Sequence, residues 1–375
     1  MNKQKVLVGM SGGVDSSAVC MMLQEQGYEV VGLTMRMWDV ASQFSADAVE
    51  PNFIIEARQL AQRLGIEHHT LDIRQEFRQT VIQNFIDEYM AGHTPNPCVM
   101  CNLFFKWRYL MESADRYGCE KVATGHYAQI EQRNGVFHVK RGLDEKKDQS
   151  YFLWRLGQRE LQRTVFPLGT LRKEEIKKYV LDHGFPEKVE KKESMEVCFV
   201  EDDYRTFLRE QCPDIDAQIG PGEFVDSTGK KLGLHKGFPF YTIGQRKGLE
   251  IALGEPAYVV RINPSKNTIR LGKKEDLLQT TMMLKHCQIP DTSLLNSDKL
   301  KVRIRYRSAP LSVSIEAVNG DSMMLRFSQP ASAVTPGQSA VIYLDGLVVG
   351  GGIIGDTREK RKFKSDDSRR SQDIN

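Results

Sequence analysis

Residues 6–17, VLVGMSGGVDSS, restrict the fold more than any other stretch of the chain. Val6, Leu7 and Val8 form a short apolar run of the kind that is buried on both faces in a parallel sheet. The run breaks into Ser11-Gly12-Gly13, after which Val14, Ala18, Met21 and Met22 recur at helical spacing. A strand that turns through glycines into a helix aims backbone N–H groups and the positive helix end at one spot, an anion cradle. Gly12 and Gly13 are free to take positive φ and to let a phosphate approach the main chain. Ser11, Ser16 and Ser17 offer hydroxyl donors, and Asp15 offers a carboxylate for a metal ion or for orienting the loop.

The loop lacks the lysine of a Walker A motif and does not read G-x-G-x-x-G. It resembles the S-G-G-x-D-S pyrophosphate loop of the ATP pyrophosphatases. That resemblance implies attack on the α-phosphate of ATP with release of pyrophosphate, and leaves the second substrate open.

A chain of 375 residues predicts two or three domains. No apolar run reaches the ~18 residues of a membrane span. The N-terminus runs almost at once into a strand, which predicts no signal peptide, a cytoplasmic location and reduced thiols at the seven cysteines. The net charge of +3 is carried by the last nineteen residues, 357–375, where seven Lys/Arg meet four acids. Such an end predicts a disordered basic tail, with weak contact to RNA as the second reading.

The first third alternates strands with helices. Strands are expected at 29–35, 67–72 and 121–124. Amphipathic helices are carried by Phe53, Ala57, Leu60, Ala61 and Leu64, by Phe77, Val81, Phe85 and Tyr89, and by Phe104, Leu110, Met111 and Ala114. The pattern predicts a doubly wound parallel α/β sheet with its ligand beyond the strand C-terminal ends, where Ser11, Met35 and Gly125 emerge. Residues 151–210 read as mostly helical. From about Gly220 helix patterns vanish and short strands follow at 259–262, 268–271, 301–306, 311–317, 323–327 and 340–343, predicting a small β module and then a barrel. Lys299, Lys301, Arg303, Arg305 and Arg307 alternate and would share one strand face, a row able to meet phosphates.

Two cysteine regions stand out. Cys101, in TPNPCVMCN, is expected just before the helix that starts near Phe104, where the helix end would favour thiolate. Cys198, in EVCF, follows a run of mixed charge. Cys98-x-x-Cys101 also admits a metal reading, although no second ligand pair at close spacing follows. Cys20 reads as helix core.

Together these segments resemble the tRNA-specific 2-thiouridylases. The matching stretches are residues 9–16, TPNP with Cys101-Asn102, TGHY at 124–127, 147–153, Cys198-Phe199, TIGQRKG at 242–248, Arg305-Tyr306-Arg307 and AVTPGQSA at 333–340. The resemblance implies an adenine nucleotide alpha hydrolase-like, N-type ATP pyrophosphatase domain over 1–205, a small central β-rich domain over 206–275 and a C-terminal tRNA-binding β-barrel over 276–356. It implies ATP on Gly9, Met10, Ser11, Gly12, Gly13, Val14, Asp15, Ser16, Met35 and Gly125, with Mg2+ accompanying the phosphates. Cys198 would carry a persulfide, and Cys101 would be the nucleophile that joins in sulfur transfer or resolves the persulfide to a Cys101–Cys198 disulfide. The target base maps to Asn96, Pro97 and Cys98, and tRNA contacts map to His126, Lys147, Asp148, Gln149, Arg305, Tyr306 and Gln338. The implied partners are tRNAs with Glu, Gln and Lys anticodons and a persulfide donor such as a cysteine desulfurase or relay protein, with no membrane.

The chain departs from the family pattern twice. Cys98 stands where many members have aspartate, and Glu193-Ser194-Met195-Glu196 stands where Asp-Ser-Thr-Gly is usual. The three-residue offset of Cys98 from Cys101 would also let Cys98 serve as an alternative disulfide partner. Two other readings remain at this level: a different adenylating enzyme with the same loop, such as an amidating or lysidine-forming ligase, and a non-catalytic RNA-binding module.

Overall fold

The computed structural model describes residues 3–40, 50–190 and 197–356. It divides into two compact units: Met1–Ile82 with Pro97–Glu201 and Gly346–Val348, and Gln83–Asn96 with Asp202–Asp345 and Val349–Asn375. The acidic stretch at 193–196 and the basic tail lie outside the described residues.

The first unit holds strands β1 (Lys5–Gly9), β2 (Glu29–Arg36), β3 (Glu67–Asp72), β4 (Lys121–Ala123), β5 (Ala128–Arg133), β6 (Val136–Arg141) and β7 (Thr164–Val165). Its main sheet runs β3-β2-β1-β4-β7 with every pair parallel, the doubly wound arrangement expected. Period two explains how β1 holds both layers together. Val6 and Val8 pack against Val19, Leu23, Leu60 and Ile176, whereas Leu7 packs against Leu110, Met111 and Ala114. All three are fully buried, so a central strand of branched apolar residues is the only kind that serves here. Chain order reverses between β1 and β4, which places the ligand crevice beyond the ends of those two strands.

Helix Asn52–Leu64 falls as expected and ends on Gly65 at φ 64°. The helix expected from Phe104 begins earlier. Pro97–Cys101 is α-helical, Asn102–Trp107 is a π-helical turn, and Arg108–Arg116 returns to α. Pro97 suits a first helical position, because its fixed φ fits and its missing N–H would have had no partner there.

The second unit has a four-stranded sheet of β8 (Gly222–Val225), β9 (Lys231–His235), β10 (Tyr258–Asn263) and β11 (Thr268–Gly272), in the order β10-β11-β8-β9. Six further strands follow: β12 (Leu278–Gln288), β13 (Lys301–Arg303), β14 (Leu311–Asn319), β15 (Ser322–Ser332), β16 (Ser339–Leu344) and β17 (Leu347–Ile354). They run β12-β15-β14-β13-β16-β17 and close through β12 against β17, so this is the expected barrel without open edges. Two hairpins not anticipated from the sequence carry the strongest hairpin signals there are. Asn134-Gly135 (φ 50° and 81°) joins β5 to β6, and Asp345-Gly346 (φ 50° and 82°) joins β16 to β17.

The basic strand requires correction. β13 ends at Arg303, and Arg305, Tyr306 and Arg307 lie in the turn beyond it, so the five cations do not share a strand face. Arg305 is a brace within the unit: its Nη2 donates to Ile243 O at 3.2 Å, Ala333 O at 3.0 Å and Thr335 Oγ1 at 2.6 Å. A guanidinium fork serves several acceptors at once where an ammonium does not. Arg305→Ala is therefore expected to lower the stability of the second unit by about 2–3 kcal/mol. Urea unfolding followed by near-ultraviolet circular dichroism checks this, and an unchanged midpoint would contradict the bracing role.

Candidate phosphate loop and thiol cluster

The loop after β1 has the geometry of an anion cradle. Gly12 sits at φ 73°, and a Cβ there would lie 2.7 Å from Phe53 O, so conformation and space both demand glycine. Gly13 is the N-cap of helix Val14–Glu25, and no side chain caps that end. The orphan N–H groups of the first turn therefore face whatever occupies the loop. Gly125, beyond β4, closes the other side: a Cβ there would lie 3.0 Å from Asp15 Cβ and 3.3 Å from Ser16 N. Met35 is half-buried near the end of β2, and Met10 N donates to Leu33 O at 2.8 Å, tying the loop to that strand. Gly9, Met10, Val14, Met35 and Gly125 thus gather at one sheet edge.

The loop's side chains do not all behave as expected. Ser16 and Ser17 are buried, and their hydroxyls donate back to Gly13 O at 3.1 Å and 2.9 Å, so they brace the helix start instead of facing a ligand. Ser11 is exposed, and Ser16 Oγ accepts from its N–H at 3.2 Å. Asp15 is occupied: Lys173 Nζ lies 2.8 Å from both of its carboxylate oxygens, and Tyr127 OH donates to Oδ1 at 2.7 Å. It orients the loop. A second lysine, Lys188, donates from Nζ to Gly12 O at 3.0 Å and lies 3.4 Å from Glu56 Oε2. Lys173 and Lys188 are 3% and 6% exposed, so two nearly buried ammonium groups flank a loop that has no lysine of its own. Nothing local in the sequence marks either one; both come from far along the chain.

The thiols gather elsewhere in the same unit. Cys98 and Cys101 lie one turn apart in helix Pro97–Cys101, and Cys198 is close enough for its charge to act on both. Here the sequence reading of Cys101 fails. Cys101 ends the short helix and runs straight into the π-helical turn, so it sits at no helix N-terminus and gains nothing from one. Burial instead pushes its thiol up to about 12 and that of Cys98 up to about 11. Cys101 Sγ lies 3.8 Å from Met37 Sδ. Cys198 is solvent-exposed as a residue, although the protein packed about it still raises its thiol. All seven cysteines are free thiols, and Cys20 is fully buried as helix core. Among the described residues, no group of three or more His, Cys, Asp or Glu side chains is arranged to hold a metal ion.

The remaining residues fall into two sets. In the first unit, Thr124 Oγ1 and His126 Nδ1 are 2.7 Å apart, and burial holds the imidazole well below its ordinary pKa. Asp148 is buried and accepts from Arg141 Nε, Gly142 N and Ser150 N, each at 3.1 Å, so its carboxylate is a knot within its own loop and not a surface contact. Gln149 Oε1 accepts from Tyr127 N at 3.0 Å, and Lys147 is half-buried. In the second unit, Gln338 Nε2 donates to Thr94 O at 3.0 Å and Pro95 O at 2.9 Å, fixing the segment that leads to Asn96. Arg307 lies over the Tyr306 ring at 6.0 Å. A concavity of about 750 Å³ is lined by Tyr204, Arg205, Thr242–Gly248 and Arg305.

Comparison with known proteins is consistent from end to end. Residues 4–202 match the tRNA methyl transferase HUP domain family, residues 206–273 the tRNA methyl transferase PRC-barrel domain family and residues 280–354 the aminomethyltransferase beta-barrel domain family. A protein of Phocaeicola vulgatus named tRNA-specific 2-thiouridylase MnmA 3 is 56% identical over 97% of both chains. Its namesake in Bacteroides fragilis is 54% identical over 95% of this chain and 96% of its own. The tRNA-specific 2-thiouridylase MnmA of Cytophaga hutchinsonii is 44% identical over 97% of this chain and 99% of its own.

Two measurements probe this geometry. Gly12→Ala places a side chain at positive φ against Phe53 O, and is expected to cost about 2 kcal/mol of stability in urea unfolding. Burial also holds His68 and His235 down at about 4, with His126 lowered as well. Each stays neutral in the fold, so its stabilising effect is complete above the ordinary 6.5 and is lost as pH falls towards 4. His183 shifts upward and works in the opposite sense, but it is largely exposed. Urea unfolding at pH 5 is expected to show about 1–2 kcal/mol less stability per buried imidazole than at pH 7, with a smaller loss in His235→Gln.

Proposed function

The chain belongs to the tRNA-specific 2-thiouridylase family, and on that premise we propose that it replaces the 2-oxygen of the tRNA wobble uridine with sulfur at the expense of ATP. It is a tRNA sulfurtransferase. The observation that carries the finer reading is the pairing, within one compact unit, of a glycine-lined anion loop with a cluster of three thiols.

ATP would lie with its phosphates over Gly9, Met10, Ser11, Gly12, Gly13, Val14, Asp15 and Ser16, and its nucleoside against Met35 and Gly125. Gly12 and Gly125 leave the room, and the uncapped helix end supplies N–H donors. Lys173 and Lys188 would offset phosphate charge in the role a Walker lysine has elsewhere. Asp15 is held by Lys173 and Tyr127, so a magnesium ion would be held by the phosphates themselves and would supply charge neutralisation there. The uridine 2-oxygen attacks the α-phosphorus and the bond to pyrophosphate breaks, leaving the base esterified to AMP.

Sulfur then reaches C2 from the persulfide on Cys198. In one course the persulfide's terminal sulfur adds to C2 and AMP leaves, after which the Cys101 thiolate attacks the Cys198 sulfur, the S–S bond to the base breaks, 2-thiouridine departs and a Cys101–Cys198 disulfide remains. In the other, the Cys101 thiolate attacks the Cys198 sulfur, forming a Cys101–Cys198 disulfide and releasing hydrosulfide, which adds to C2 and expels AMP. An external dithiol reductant then restores both thiols. Splitting the transfer in this way replaces one difficult displacement by two easier ones. The target base is assigned to Asn96, Pro97 and Cys98. Contacts to tRNA are assigned to His126, Lys147 and Gln149 on one unit and to Arg305, Tyr306 and Gln338 on the other, whereas Asp148 acts by shaping its loop. A base must leave its stack to be modified at such a site.

The test combines the purified chain, ATP, a wobble-uridine tRNA transcript and a persulfide donor, followed by mass spectrometry of the nucleosides. The wild-type chain is expected to form 2-thiouridine with one AMP per product. Cys198→Ser is expected to bind ATP and tRNA normally and to form none. Thiolation by that variant at the wild-type rate overturns the persulfide assignment, and ATP cleavage without any thiolated product overturns the function.

A further inference from the structure

The two sulfur-handling thiols, Cys101 and Cys198, and their neighbour Cys98 sit where a negative charge is poorly solvated. Neighbouring thiolates add to the cost: Cys198 acts on Cys98 and Cys101, and Cys98 acts on Cys101. Something must offset this cost.

Lys106 is placed to do so. It lies in the π-helical turn Asn102–Trp107, five residues after Cys101. A π turn, with its i→i+5 pattern, brings residues at that spacing back towards one face, and such turns recur at functional sites. The turn is pinned at both ends. Asn102 Nδ2 donates to Phe152 O at 3.1 Å, and the fully buried Trp107 donates from Nε1 to Thr164 Oγ1 at 2.7 Å. The Trp107 ring lies 5.5 Å from that of His126, so the turn runs between the thiols and the imidazole. Lys106 is half-buried, yet among the described residues it has neither a hydrogen bond nor an ion pair. Its charge acts on Cys98, Cys101, Cys198 and His126, and no described carboxylate acts on any of the four. The other cation nearby, Arg155, spends Nη1 on Met100 Sδ at 3.5 Å.

We propose that Lys106 is the thiolate-stabilising residue of this site, an unpaired ammonium that the π-helical turn holds towards Cys101 and Cys198. The proposal rests on the reading of those two cysteines as the sulfur-handling pair. It makes no use of a metal ion or of a helix end, and it gives the irregular turn a purpose. A regular α-helix would bring residue 105 instead of residue 106 back over Cys101, and Phe105 carries no charge.

The experiment reads thiolate character directly. In the full-length reduced protein, iodoacetamide is attacked by thiolate with loss of iodide, and peptide mass spectrometry gives the rate at each cysteine across pH. Lys106→Met is expected to slow Cys101 and Cys198 by about threefold for each unit by which their pKa rises, and to move both profiles to higher pH. Cys212 and Cys287, in the other compact unit, should keep their rates. Lys106→Arg, which keeps the charge, should restore most of the reactivity. Should Lys106→Met lose its circular dichroism spectrum, Lys106→Gln takes the same measurement with side-chain length nearly preserved. Unchanged profiles in a folded charge-free variant overturn the proposal, as does equal slowing in Met and Arg variants, which would mark a packing effect. A shifted alkylation profile in a protein that makes no 2-thiouridine would instead overturn the sulfur-transfer reading and leave the electrostatic role of Lys106 intact.

Discussion

The ion pair between the buried Lys173 ammonium and the partly exposed Asp15 carboxylate holds the phosphate-loop end of the first unit together. Lys173 Nζ lies 2.8 Å from both carboxylate oxygens, and Tyr127 OH adds a third contact to the same group. Lys173 opens the helix Lys173–Asp182, Asp15 lies in the first turn of the helix after β1, and Tyr127 follows β4. Three separate segments are therefore locked at one carboxylate. Burying an ammonium is costly unless it is paired. The pair is thus worth more as a constraint on geometry than as a source of stability. It holds Asp15 where Gly125 packs upon it, and so sets the width of the cradle.

A different compromise governs the thiols. Apolar packing around Phe77, with the Phe105 ring at 5.5 Å and the Phe199 ring at 5.9 Å, fixes the neighbours of Cys101 and Cys198. Burial of the sulfurs raises their pKa values. Rigid placement and easy ionisation pull against each other, and a half-buried cation on an irregular helical turn is a solution that keeps both. Helix Pro97–Arg116 is interrupted at the turn that carries Lys106, where a regular helix would have been simpler to build.

Much of this was legible in the residue order. The strand–glycine–helix signal of residues 6–17 implied the loop, because positive φ at Gly12 and branched residues in β1 are local requirements. The alternation of strands and helices implied the parallel sheet for similar reasons. The reading failed where chemistry depends on partners distant in the chain. Ser16 and Ser17 looked like ligand donors but turn back to Gly13 O. Cys101 looked like a helix-end thiol because the π turn was invisible to a count of period 3.6. The alternating cations from 299 to 307 looked like one strand face, yet the strand stops at Arg303 once Arg305 finds three acceptors in its own unit. The Asn134-Gly135 and Asp345-Gly346 hairpins were visible in principle, since both dipeptides tolerate positive φ at two successive positions.

By itself, then, the sequence determined what local sterics and periodicity control: the buried strands, the glycine turn, the β-rich second half and the order of the motifs. Only the tertiary structure decided which charges meet. Lys173 and Lys188 reach the phosphate loop from more than 150 residues away, and Cys198 comes to Lys106 from more than 90 residues away. Electrostatic energy depends on distance and solvent exposure in space, and neither quantity is written in the spacing of residues along a chain.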